Sequence, residues 1–191
     1  MDPLDFSAIE SRIHAAGENW AIAHAQRLLK LVEQIAEDKK FDHDALLWAA
    51  YLHDWGAFHQ YYQPGCDHAA LSREIAESEI LPGVDLPDHT KGLILEAIER
   101  HDYRDQQPTR SVEALLLREA DALDFLGVIG IAREFSRGSN DLSLSYGRIM
   151  ARMKLIQDRF TLPQAKVIAE KRLTRMNAFM AALMEEGLGI L

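Results

Sequence analysis

Cysteine occurs once in the chain, at Cys66. A single thiol excludes an internal disulfide and a cysteine-type structural zinc site, and a reducing cytoplasm is the natural compartment. Long hydrophobic runs are missing too. No stretch approaches the roughly eighteen to twenty apolar residues that cross a bilayer, and no N-terminal apolar segment has the form of a secretion signal. Cations are in deficit, 21 Lys and Arg against 30 Asp and Glu, for a formal charge of −9. That balance argues against a nucleic-acid polymer bound by charge neutralisation. It leaves room for a small phosphate ester, because a bound metal supplies the local positive charge. Strand-like alternation, repeats and low-complexity tracts are absent as well, so the expected fold is all-α.

What is present is an ordinary globular composition, 48% hydrophobic and 27% charged over 191 residues, enough for a real core. We read residues 1–191 as a single helical-bundle domain. Its motifs span about 19–135, and a C-terminal pair of helices over 146–191 is expected to pack on that core. A lead-in helix is expected over 5–16. Gly17-Glu18-Asn19 then reads as a break and N-cap before a helix of about twenty residues to Asp38. His24 lies on its inward line with Leu28, Leu31 and Ile35.

The segment 45–54 is apolar nearly all round and therefore central, with Asp42 or Asp44 as its cap. It carries His53 and Asp54 to its last turn, and Gly56 is expected to stop it in a left-handed conformation. Adjacent buried His and Asp need a partner, and a divalent cation accepts both as ligands. The aromatic stretch 57–66 reads either as a pocket wall or as a loop laid on the surface. Asp67 caps a helix over 68–80 with His68 in its first turn. Asp88 caps the next, whose apolar positions 94 and 98 lead to His101. Ser111 caps a long segment in which Asp121 projects from a Leu/Ala/Phe stripe with Asp124 beside it. Gly127 and Gly130 allow close packing or a kink. A polar loop over 136–145 is the candidate internal boundary. A helix over 146–160 follows, then a capping box at Thr161-Leu162-Pro163-Gln164 opening a last helix to about Glu186. The remaining histidines, His14, His43, His59 and His89, sit in surface, cap or loop positions.

His24, His53-Asp54, His101 and Asp121 thus place ligand types on the apolar faces of four helices, with His68 at the start of a fifth. Mixed imidazole and carboxylate ligands suit manganese, iron, cobalt, nickel or zinc better than calcium. The arrangement resembles the H…HD…D signature of the HD superfamily of metal-dependent phosphohydrolases. Ala49-Ala50-Tyr51-Leu52-His53-Asp54-Trp55-Gly56 is similar to that family's "aaLlHDiG" block, and the run from His68 to Ala76 to its "HaexsaeiA" helix. Ile98-Glu99-Arg100-His101 resembles the "I..H" helix end, and Glu119 to Gly127 the "DADrLDalG" block. The nearest subgroup is that of small stand-alone HDIG-like hydrolases of bacteria.

The resemblance implies that His24, His53, Asp54 and Asp121 hold one divalent ion, magnesium included. His68 and His101 would complete a second site or touch phosphate. Three positions depart from the family's patterns. Trp55 replaces Ile, His101 is followed by Asp102 rather than a second His, and Ala57 stands where 5′-nucleotidases of this type carry Glu. The expected activity is hydrolysis of a small phosphate ester or anhydride, a nucleotide above all. Asp54 or Asp124 would serve as base, and His68 or His101 would stabilise the transition state or protonate the leaving oxygen. Arg73 and Arg104 are candidate phosphate clamps. A non-catalytic metal-binding sensing module and a di-iron oxygenase are the alternatives. A small phosphorylated molecule is the expected partner, no membrane is expected to be one, and a homodimer is compatible with the sequence.

Overall fold

A computed structural model of the chain describes residues 6–137 and 140–190. Asp5 of the expected lead-in helix, and Gly138 and Ser139 of the expected polar loop, lie outside the described residues. The described residues form α-helices joined by short 3₁₀ and π turns, with no strand among them. Two compact units, Met1–Ala120 and Asp121–Leu191, divide the chain upstream of the 136–145 segment.

In the first unit, α1 (Phe6–Ala15) ends before Gly17, whose φ of +76° makes the break. α2 (Trp20–Ile35) follows. Asn19 precedes it without the expected cap bond; its side chain instead meets His14 Nδ1 at 2.5 Å. α3 (His43–Leu52) is the hub. Seven of its ten residues are buried, as a helix apolar all round must be, and it lies between α2 and α5 (Asp88–Arg100). α4 (His68–Ile75) packs on α5 and widens at Ala76–Ile80 into a π turn closed by Leu81-Pro82-Gly83. Ile94, Ile98, Leu46 and Leu28 are essentially inaccessible, each contributing on the order of 1.5–3 kcal/mol by burial.

Asp42 is the cap that ties this unit together. Its Oδ1 accepts from Ala45 N at 3.0 Å, its Oδ2 accepts from Thr90 Oγ1 of α5 at 2.8 Å, and its own N–H donates to Glu113 at 2.7 Å. The Ala45 N–H does most to hold its carboxyl below the ordinary range, burial opposes this, and Thr90 adds to it. The contribution is therefore complete above the unfolded carboxylate pKa of about 3.9 and lost as pH falls through the lower folded value. Asp42→Ala should cost about 1–2 kcal/mol at pH 7 in denaturant unfolding. The gap from wild type should narrow below about pH 4, and a constant gap would refute the linkage.

α6 (Val112–Asp124) is capped by Ser111, as expected, and crosses the division between the units at residue 121. In the second unit α7 (Gly127–Ser136) packs against α8 (Leu142–Ile156) and α9 (Pro163–Glu186). Asp141, rather than a residue near 146, starts α8 by accepting from Leu144 N. α9 begins at Pro163, with Leu162 rather than Thr161 at the cap position and the expected proline in its first turn. The two glycines do allow close approach. A Cβ on Gly130 would lie 2.0 Å from the Phe125 carbonyl oxygen, and one on Gly127 would lie 3.2 Å from the Arg172 side chain. Buried Glu134 is neutralised by Arg152 at 2.6 Å and Arg148 at 3.6 Å. Arg152 and Arg133 both lie over the Phe125 ring.

Candidate metal centre

Four elements of the first unit converge on one carboxylate. His24 comes from the buried stripe of α2, His53 and Asp54 from the end of α3, His68 from the first position of α4, and His101 from the residue that caps α5. Asp54 sits at φ −102°, ψ 8°, the bridge conformation that often presents active-site side chains. Its Oδ2 lies 3.4 Å from His53 Nε2 and 3.7 Å from His24 Nε2. Its Oδ1 lies 3.5 Å from His68 Nε2 and 3.7 Å from His101 Nε2. The imidazoles pair off as well, His24 with His53 at 3.2 Å and His68 with His101 at 3.1 Å. Each oxygen of one carboxylate thus faces its own pair of imidazole nitrogens.

Those spacings can be compared with coordination geometry. Two donors about 2.1 Å from one ion lie about 3.0 Å apart at right angles and about 3.4 Å apart at the tetrahedral angle. The observed 3.1–3.7 Å separations approximate such edges. His53, Asp54 and His101 alone bring three donors within 4.8 Å of one another. The protons also agree. His53 Nδ1 is 2.8 Å from the Ala50 carbonyl and His101 Nδ1 is 2.6 Å from that of Ile98. A carbonyl only accepts, so both Nδ1 atoms donate, and in the neutral rings Nε2 is left bare toward the cluster. The donor set therefore fits a divalent transition ion.

Burial works against ionising Asp54, but His53, then His24 and His101, outweigh it and hold its carboxyl well below the usual carboxylate range. His24, His53 and His101 are closed off from solvent, whereas the side chains of Asp54 and His68 remain 15% and 23% accessible. These two form the open side of the cluster.

Asp102, noted in the sequence only as a departure after His101, proves to be buried beside His68. It accepts Arg104 Nε at 2.9 Å through both oxygens, and also Arg104 Nη2 and the Arg104 backbone N–H. Burial raises its pKa, and the Arg104 hydrogen bonds overcome this and set it below the ordinary value. Arg73 is paired with Glu77 at 3.0 Å and Glu99 at 3.5 Å. Asp121 is the first residue of the second unit and is buried. Asp124 is engaged by Arg133 at 2.8 Å within the second unit. His14, His43, His59 and His89 are exposed.

Gly56 requires a correction. It does not adopt a left-handed backbone; its role is steric. A Cβ there would lie 2.4 Å from the His68 carbonyl oxygen and 2.9 Å from Ser72 N. Buried Ser72 completes the joint, accepting from Gly56 N at 2.8 Å and donating to the His68 carbonyl at 2.8 Å. Neither Ser72 nor Asp102 was legible as part of the site. Of the two, Asp102 carried the only signal, a carboxylate adjoining an inward histidine. In the 57–66 stretch, Phe58 is buried and stacks on Trp55 with ring centroids 5.5 Å apart, while Tyr62 is 62% exposed.

The family model of the HD domain matches residues 21–126, more than half of the chain. The chain belongs to the HD-domain family. The matched region contains every residue of the cluster just described, and HD domains bind divalent metals. The chain is 25% identical over 187 residues to the uncharacterized protein YpgQ of Bacillus subtilis, covering 92% of this chain and 87% of that one. A solved predicted HD superfamily hydrolase from an uncultured Thermotogales bacterium superposes with a TM-score of 0.66 at 24% identity, covering 95% and 92% of the two chains. Bacillus subtilis YpgQ in complex with ADP superposes at 0.67 with 20% identity, over 94% and 96%. Those likenesses establish the all-α fold. No helix among the described residues is long and apolar enough to cross a membrane.

Proposed function

We propose that the chain is a metal-dependent phosphohydrolase acting on a small phosphate ester or anhydride, a nucleotide in particular. The observation that carries this reading is Asp54, with a pair of imidazole Nε2 atoms facing each of its oxygens. That is the pattern of a carboxylate shared by two ion positions. In this reading His24, His53 and Asp54 would hold the first ion, and the sequence motif adds Asp121. Asp54, His68 and His101 hold a second. When bound there, divalent ions would supply Lewis acidity toward a phosphoryl oxygen and an acidic water.

The chain's own residues do the rest. Asp54 keeps its charge inside the cluster because the surrounding imidazoles hold its carboxyl low. The backbone carbonyls of Ala50 and Ile98 fix the rings of His53 and His101. Arg104, with its side chain 59% accessible and its Nη2 3.4 Å from His68 Nδ1, is the cation best placed to meet a phosphoryl group. Arg73 is shared by two glutamates; Arg104 is likewise bonded to Asp102 but, unlike Arg73, has a hydrogen-bond contact to His68. Asp124 is left out as a base because Arg133 neutralises it. The ADP complex of YpgQ supports a nucleotide as the substrate class. The formal charge of −9 supports a small substrate over a polymer.

The test is a panel of nucleotides, sugar phosphates and a single-stranded oligonucleotide, offered to chelated protein re-supplied with manganese. Release of phosphate or pyrophosphate from a mononucleotide, abolished by chelation and much weaker from the oligonucleotide, is the expected result. No release from any compound would end the hydrolase reading. Tight binding of one compound without turnover would instead assign a sensing role.

A further inference from the structure

Within the cluster, His68 differs from His53 and His101 in what its Nδ1 meets. His53 and His101 each give Nδ1–H to a backbone carbonyl, so their tautomer is set by the fold. His68 Nδ1 lies beside two side chains that favour opposite answers. Arg104 Nη2 lies 3.4 Å away and only donates, which requires a bare Nδ1 and places the proton on Nε2. Asp102 Oδ2 lies 3.6 Å away, beyond hydrogen-bond distance while Arg104 occupies it, and only accepts; once Arg104 moves off it can take Nδ1–H, which leaves Nε2 bare. Asp67 Oδ1, at 3.8 Å, is farther and already takes the Ala69 N–H. In the first state Nε2–H donates to the bare Nε2 of His101 at 3.1 Å, and His68 is no ligand. In the second state Nε2 is free toward Asp54 Oδ1 and can bind an ion.

We propose that Asp102 and Arg104 are positioning residues that select which nitrogen of His68 carries its proton, Arg104 withholding His68 as a ligand and Asp102 preparing it. Arg104, whose side chain is more than half accessible, can exchange its Nε and Nη2 bonds to Asp102 for a phosphoryl group, whereas Asp102 is buried and stays held by the Arg104 backbone N–H. A phosphoryl group that draws Arg104 away therefore strengthens His68 as a ligand for the second ion. The inference rests on the reading of His68 and His101 given above.

Two measurements test it separately. In metal-free protein, long-range proton–nitrogen NMR of the His68 ring should show Nε2–H in wild type and a shift toward Nδ1–H in Arg104→Ala. An unchanged tautomer in that variant overturns the proposal. In manganese titrations Asp102→Asn should weaken the second binding step by about 10- to 100-fold, leave the first step in place, and keep the far-UV helical signal. Arg104→Ala should strengthen that same step. Equal second-step affinity in Asp102→Asn and wild type also overturns the proposal. A wild type that binds one manganese, unaffected by His101→Ala, would instead remove the two-ion reading, and the NMR experiment would still decide the tautomer claim on its own.

Discussion

Asp54→Ala is expected to empty the centre of metal and to lower phosphate release by at least about 10³-fold while the helical far-UV signal stays close to wild type. The size follows from where Asp54 stands. It lies within 3.7 Å of all four imidazole Nε2 atoms, so its removal touches both proposed ion positions at once. It follows α3 rather than sitting inside it, so the hub helix keeps its own hydrogen bonds and its buried face. Elemental analysis of the purified variant, with Asp54→Asn as an isosteric companion, checks the metal. Full occupancy in the alanine variant would show that Asp54 does not hold the metal. Loss of metal with retained turnover would separate the ion from the chemistry.

The inward histidines were legible because helical periodicity is local information. His24 shares a line with Leu28, Leu31 and Ile35, and His101 follows 94 and 98; both prove to be 1% exposed. The caps at Asp67 and Ser111 were legible for the same reason, since a side-chain cap reaches only two or three residues ahead. What the sequence hid lies in contacts between distant positions. Asp102 and Arg104 meet His68 from a loop more than thirty residues downstream, and no spacing rule reaches that far. The start of α8 was misplaced because Asn140 to Ser145 has loop-like composition, yet Asp141 supplies a cap that makes the segment helical. Gly56 was assigned the right position for the wrong reason. Its glycine requirement comes from a helix packed against it rather than from its own backbone angle.

That packing gives Gly56→Ala a large expected stability effect for a single added methyl group. The added Cβ would meet two backbone atoms, the His68 carbonyl oxygen at 2.4 Å and Ser72 N at 2.9 Å, and backbone has no rotamer with which to yield. α4 must then retreat, and overpacking of this kind costs about 1–3 kcal/mol, at the upper end where no flexible side chain absorbs it. Retreat also disturbs the two bonds through Ser72 that tie Gly56 to the start of α4. His68 would move away from Asp54 Oδ1 and His101, so the second manganese step should weaken while the first, on His24 and His53, persists. Gly92→Ala and Gly147→Ala are the matching controls. Both positions are helical, and an added methyl group would meet nothing within 4 Å, so alanine there should be neutral or stabilising by up to about 1 kcal/mol. Denaturant midpoints of the three variants, read with their manganese titrations, decide the point. A Gly56→Ala protein as stable as its controls would mean that α4 is not held against the His-Asp turn as the structure shows.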